Sequence, residues 1–324
     1  MIVDSHAHLV PPGLLDAIRK EQGRFASLRV IEEDGIAFAF ADGKPTRPVS
    51  KPLSDVAARL AWMDRQGIDR QVVGGWVDMF GYELPAAEGE AWSRLINDAL
   101  ATAAKAEPRF VPLATVPLQD GTRAAAVLKA AMEAGLPGAM IGTLPRGVGS
   151  VLDRGDLDPF WAAADEAGAV IHVHPSFDAG DVRVNDYGLA NAVGRITDAM
   201  VAVARLISTG HVTRYRNARI VVPMGAAGLP FLLGRLKRNH EVTPSVGDPV
   251  EALGHLYTDT ILHDARVLKF VIGMLGSERL MMGSDSPFPI GDLEPTRIVA
   301  AAGLTPEQAA SVNGGLAAKL FRLS

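Results

Sequence analysis

Residues 169–175 read Ala169-Val170-Ile171-His172-Val173-His174-Pro175, an apolar run that ends on a histidine and is stopped by a proline. A run this short and this rich in β-branched residues has the length of a buried strand rather than of a helix. Proline also disfavours helical backbone at the residue before it. Side chains alternate along a strand, so His172 and His174 share one face, with His174 at the C-terminal end.

Comparable runs occupy residues 2–4, 71–74, 110–115, 138–141, 219–224, 256–260 and 279–283, which with 169–174 makes eight. The segments between them carry apolar residues at helical spacing: Val56, Leu60 and Met63 within 54–66, and Val127, Leu128, Ala131 and Met132 within 123–134. Such alternation predicts parallel strands joined by crossover helices. Eight repeats predict an α/β fold of the (β/α)8 TIM-like barrel type, one domain spanning residues 1–324. Several helix ends are marked. Ser54 or Asp55 can cap the helix over 54–66, Gly67 and Gly135 follow last turns, and Thr305-Pro306-Glu307-Gln308 spells a capping box.

Residues 20–53 break the alternation and are expected to form an insertion after the first strand. Within it 36–41 reads as a strand, Asp42-Gly43 as a tight hairpin turn, and Pro45, Pro48 and Pro52 as irregular structure. A second irregular stretch, 176–191, carries Asp178, Asp181, Arg183 and Asp186. Both belong at the C-terminal ends of barrel strands, where active sites of this architecture lie.

Composition narrows the chemistry. With 48% hydrophobic and 21% charged residues the chain has the balance of a globular protein. Its 32 basic and 37 acidic side chains give a net charge of −5, so no positive field favours nucleic acid or an anionic membrane. A small-molecule partner is expected instead. No apolar stretch is long enough to span a bilayer, and the start Met1-Ile2-Val3-Asp4 lacks the basic-then-apolar pattern of a signal peptide, which predicts a cytoplasmic protein. The absence of cysteine confines any metal to His, Asp and Glu.

Four of the eight histidines fall in two HxH pairs. His6 and His8 point to one side of an extended chain, roughly 6.6 to 6.8 Å apart along it, a spacing that lets two imidazoles converge on one ion. An isolated pair of this kind also arises without any ligand role. His174 is a third candidate ligand, and His172, one layer deeper, is expected to support the site or to pack. Asp285 ends the run Met281-Met282-Gly283-Ser284-Asp285 before Pro287, where a carboxylate can bind metal and move a proton. The conjunction is what carries weight, because one barrel face would receive all four.

These residues, together with Arg109-Phe110-Val111, His174-Pro175, Leu229-Pro230-Phe231, Tyr257-Thr258-Asp259-Thr260, His263-Asp264 and Gly283-Ser284-Asp285-Ser286-Pro287, resemble the amidohydrolase superfamily. Within it the chain is similar to the branch of 2-amino-3-carboxymuconate-6-semialdehyde decarboxylase and related metal-dependent decarboxylases and hydrolases. The resemblance implies one divalent ion, zinc most often and manganese in some members, held by His6, His8, His174 and Asp285. It further implies a homodimer in which Arg235 approaches the partner's site. By their positions Arg47, Lys51, Trp76 and Met224 are candidate substrate contacts and His172 and His263 candidate supports, with core packing, subunit contact or local hydrogen bonds as the alternative.

The chain departs from the pattern twice. Met224 stands where the family carries a histidine base at the end of strand six, and a thioether cannot take a proton at ordinary pH. Ser50 stands where an arginine would bind a carboxylate, with Arg47 and Lys51 nearby. The expected activity is decarboxylation of an aromatic or muconate-like acid with Asp285 as acid and base. Metal-dependent hydrolysis of an amide, lactone or carbon-carbon bond, acting on a cyclic substrate, stays open, as does a non-catalytic barrel.

Overall fold

The computed structural model describes residues 1–176 and 180–323, so Asp178 lies outside the described residues. Ten strands appear: β1 (Val3–His8), β2 (Leu28–Ile31), β3 (Ala37–Phe40), β4 (Arg70–Gly74), β5 (Phe110–Pro112), β6 (Gly138–Gly142), β7 (Val170–His174), β8 (Arg219–Val222), β9 (Tyr257–Asp259) and β10 (Leu280–Met281). The eight expected runs supply all of them except the β2–β3 pair.

Parallel ladders join β1, β4 and β5 in one sheet and β6 through β10 in chain order in another. Two seams close the ring. Ala114 pairs in parallel with Ala139, with Met140 N donating to Ala114 O at 2.9 Å, and Ala7 pairs with Ser286, with Ser5 N donating to Met282 O at 2.8 Å. Together they make the predicted barrel, which leaves its strands no exposed edge. β6 and β7 come so close that a Cβ on Gly138 would lie 1.9 Å from Val170 O, so the strand must start with glycine.

The crossover helices follow the sequence pattern. Asp55, rather than Ser54, caps Val56–Gln66 by accepting from Ala58 N at 2.9 Å, and Gly67 ends it at φ 65°. The capping box at Thr305 is formed. No helix among the described residues is long and apolar enough to cross a membrane.

The insertion differs from expectation in two respects. Pro52 lies not in irregular structure but at the second position of the one-turn helix Lys51–Ser54, where proline's missing N–H costs no helical hydrogen bond. The strand over 37–40 pairs antiparallel with β2, which precedes it, so the hairpin connection is 32–36 and not Asp42-Gly43. The turn at Asp42-Gly43, closed by Gly43 N to Phe40 O at 2.9 Å, instead sends the chain back along β3, where Thr46 N donates to Phe38 O at 2.7 Å. Phe25, Phe38 and Phe40 pack edge-on around Trp92 with centroids 5.5 to 5.8 Å away, which fixes the insertion to helix Ala86–Ala106.

Candidate metal centre

β1 delivers His6 and His8, β7 delivers His174, and the loop after β10 delivers Asp285. One ligand atom from each of the four lies within 4.8 Å of every other. His8 Nε2 is 3.2 Å and His6 Nε2 3.7 Å from Asp285 Oδ1. The opposite ring nitrogens all face oxygen acceptors: His6 Nδ1 meets Asp259 Oδ2 at 2.8 Å, His8 Nδ1 meets Gly75 O at 3.2 Å, and His174 Nδ1 meets Pro175 O at 2.9 Å. Each Nδ1 therefore carries the proton, and each Nε2 lone pair is left to point into the cluster.

Inside it His6 Nε2, His8 Nε2 and Asp285 Oδ1 are buried without a hydrogen bond of good geometry to any described residue. Buried polar atoms rarely stay unsatisfied. Three imidazoles and a carboxylate converging this way fit a divalent ion of borderline softness, with room for a further ligand. Burial holds the His8 and His174 imidazoles below the usual histidine range, which keeps them neutral and ready to bind. Burial alone would raise Asp285. The imidazoles of His8, at 3.2 Å, and His6, at 3.7 Å, and the positive charge of Arg195 outweigh it, so the carboxyl is held below its usual range and stays ionised.

Residues behind the cluster fix its geometry. Asp259 Oδ1 also accepts from Met224 N at 2.7 Å, so one carboxylate orients His6 and ties down the turn after β8. Asp4, wholly buried, accepts from Gln71 Nε2 at 2.8 Å, from Ser284 N at 2.9 Å and from Ser284 Oγ at 2.5 Å, linking β1 to β4 and to the Asp285 loop. Gln71 is held in turn by Arg59, whose other terminal nitrogen reaches His8 O at 2.9 Å. A Cβ on Gly291 would come within 2.4 Å of Ser284 O, so that loop packs directly on the ligand-bearing backbone. Sequence reasoning missed Asp4, Gln71, Arg59 and Asp259. The usable signals were an acid two residues before His6 and an aspartate ending a strand.

The other candidates scatter. His172 is fully buried, 4.4 Å centroid to centroid from His6 and one layer beneath it. Arg47 forms a bidentate pair with Asp78 at 2.9 and 3.0 Å and lies over the Trp76 ring at 5.5 Å. Close by, Phe80, Tyr82, Asp78, Gly142 and Ser176 line a cavity of about 460 Å³. Lys51 is 89% exposed, 4.0 Å from Asp55, and Arg235 is exposed on helix Leu229–Val242. His263 is exposed at φ 56°, and among the described residues no hydrogen bond joins it to the histidine cluster.

Met224 opens a short left-handed turn, with φ of 54° at Met224, 63° at Gly225 and 59° at Ala226. It lines a groove with Phe231, Leu262 and Phe270. Left-handed backbone costs an L-residue roughly 1–2 kcal/mol, and the bonds of Met224 N to Asp259 and of Ala226 N to Thr258 Oγ1, at 2.6 Å, offset part of that cost. Histidine tolerates positive φ better than methionine does. Met224→His is therefore expected to fold normally; a large gain in turnover in that variant would mean that the site lacks a base which the histidine restores.

A closed parallel barrel with an HxH pair on its first strand, a histidine on a middle strand and an aspartate on the last defines a class of metal-binding barrel proteins. The chain belongs to the amidohydrolase family, whose model matches residues 3–323. It is 27% identical over 307 residues, 92% of this chain and 84% of the relative, to 2-amino-3-carboxymuconate-6-semialdehyde decarboxylase of Dictyostelium discoideum. It is 26% identical, over 74% of this chain and 78% of the relative, to 6-methylsalicylic acid decarboxylase of Penicillium expansum. Its fold matches that of 5-carboxyvanillate decarboxylase from Novosphingobium aromaticivorans, solved with manganese and 4-hydroxy-3-methoxy-5-nitrobenzoic acid, with TM-score 0.81 and 20% identity over 100% of this chain and 96% of that one.

Proposed function

We propose that this protein is a metal-dependent decarboxylase of an aromatic or muconate-like carboxylic acid. The observation that carries the proposal is the convergence of His6, His8, His174 and Asp285, with unsatisfied buried atoms facing one point. Similarity to decarboxylases along 92% of the chain favours this chemistry over hydrolysis. Met224 agrees with the choice, since removing carbon dioxide requires a proton delivered to carbon and no hydroxide nucleophile made from water by a second base.

Those four residues would hold the ion, zinc or manganese. A divalent cation bound there would supply Lewis-acid attraction for the substrate's oxygens. Asp285 enters as a carboxylate, takes a proton from a substrate hydroxyl or from water, and delivers it to the carbon that bears the carboxyl group. The carbon-carbon bond then breaks, carbon dioxide leaves, and the bonding pair stays with the carbon that gained the proton. One solvent proton is consumed per turnover. Phe80 and Tyr82 wall the adjoining cavity, where a planar ring can lie against apolar surface. Exposed Phe231 and Arg235 mark the face that a second copy would cover in a homodimer.

Metal stoichiometry in parent and His174→Ala protein tests the site. The parent is expected to hold about one ion per chain after manganese or zinc is supplied. The variant is expected to lose most of it, because one of three imidazoles is gone. Full occupancy in the variant would break the ligand assignment. Screening acids for carbon dioxide release with no oxygen incorporated from water then separates decarboxylation from hydrolysis.

A further inference from the structure

Tyr82 packs on the end of β6. Its phenol oxygen accepts from Gly142 N at 3.0 Å, and a Cβ on Gly142 would lie only 3.1 Å from Tyr82 Cε2. Gly142 is the register partner of His174 in the parallel ladder of β6 and β7, which puts the phenol one strand away from a candidate metal ligand. Phe80 tilts against Tyr82 with centroids 5.6 Å apart, and a Cβ on Gly75, whose carbonyl oxygen meets His8 Nδ1, would lie 3.9 Å from Phe80 Cε1. The cavity of about 460 Å³ that both rings line therefore adjoins the backbone that positions His8 and His174.

The phenol is a donor with nothing to donate to. Tyr82 is 9% exposed, and among the described residues its one hydrogen bond is the one its oxygen accepts, so the O–H hydrogen has no acceptor. Burial pushes its pKa above the usual tyrosine range, so it keeps that hydrogen. Ser176, two residues beyond His174, lines the same cavity and is the reverse case. Thr143 spends its one hydroxyl hydrogen on Asp198 Oδ2 at 2.5 Å, so across the 3.0 Å contact of Thr143 Oγ1 with Ser176 Oγ the serine donates and its own lone pairs stay open. Gly142 and Thr143 are consecutive, so the free donor and the free acceptor are anchored one residue apart at the end of β6. The charged residues of the lining leave the two hydroxyls to decide: Lys44 and Glu83 are exposed, and Asp78 is paired with Arg47.

We propose that Tyr82 and Ser176 form a specificity-determining pair that reads one neutral hydroxyl of the substrate, set apart from the carboxyl group that leaves: the phenol donates to its oxygen and Ser176 Oγ accepts its hydrogen. A carboxylate or an ether in that place has no hydrogen for Ser176, whereas a hydroxyl both gives and takes. An acid lacking the hydroxyl leaves the buried phenol unpaired, which is how a site of this kind rejects the bare analogue. The inference rests on the decarboxylase reading and narrows its substrate class.

The test is binding, measured by calorimetry on manganese-loaded parent, Tyr82→Phe and Ser176→Ala proteins, with metal content and melting temperature recorded for each. The probes are 2-hydroxybenzoate and its 2,3-, 2,4-, 2,5- and 2,6-dihydroxy counterparts, each of which differs from it by one added hydroxyl. At least one dihydroxy acid is expected to bind the parent at least about 10-fold more tightly than 2-hydroxybenzoate. Tyr82→Phe is expected to cut that preference to within about threefold and Ser176→Ala to cut it in part, with metal content unchanged. A merely structural role for the phenol would weaken all the probes together and leave the preference intact. A preference retained in Tyr82→Phe therefore overturns the pair, as does a parent that binds no dihydroxy acid more tightly than 2-hydroxybenzoate, and both results leave the decarboxylase reading standing. A metal-loaded parent that binds none of the probes overturns the aromatic-acid reading, and the pair with it.

Discussion

Asp285→Asn is expected to lower turnover by at least about 10³-fold while the protein remains folded, since a positioned general acid contributes typically 10²–10⁴ and the proposal also makes this residue a ligand. The backbone should accept the change. Asp285 sits at φ 58°, its N–H bonded to His6 O at 2.8 Å, and asparagine is among the few residues at ease in left-handed conformation. An amide oxygen can still meet the ion, but it carries no charge and cannot shuttle a proton. The measurement is initial carbon dioxide release at saturating manganese, with circular dichroism as the control for folding. Near-parent turnover would end the acid and base role.

Asp4→Ala is expected to destabilise the fold by about 3–5 kcal/mol, the range for removing one member of a buried charged network. Asp4 is 0% exposed and receives Gln71 Nε2, both Ser284 donors and His6 N at 3.2 Å, all of which would lose their acceptor. The loss also reaches Arg59. That guanidinium is 4% exposed, and burial pulls its pKa down to about 10 against the supporting charge of Asp4. Without the aspartate the arginine is left buried with no compensating charge. Urea unfolding of the metal-free protein gives the comparison, and a loss under about 1 kcal/mol would mean the network relaxes freely. Because the network joins β1 to the Asp285 loop, metal affinity should fall together with stability.

The Arg59 case shows where reading the chain residue by residue stops. Val56, Leu60 and Met63 announce a helix with an inward face, and Arg59 falls on the same stripe, yet only the closed barrel reveals that it reaches Gln71 and His8 O. Likewise the strand over 37–40 was legible from its alternation. Its partner was not, because pairing β2 with β3 depends on the aromatic contacts around Trp92.

By itself the sequence determined the alternation of strands and helices, the caps at Gly67 and Thr305, and the four candidate ligands. Each is a local property: side-chain period along a strand or helix, a turn's need for positive φ, or a donor type at the end of an apolar run. Tertiary structure decided that residues as far apart as His6 and Asp285 meet within 3.7 Å, that Asp259 holds His6, and that His263 and Lys51 face solvent. The reason is physical: such contacts depend on the register at which eight strands close into a ring and on which side chains that closure buries, and no local periodicity encodes either.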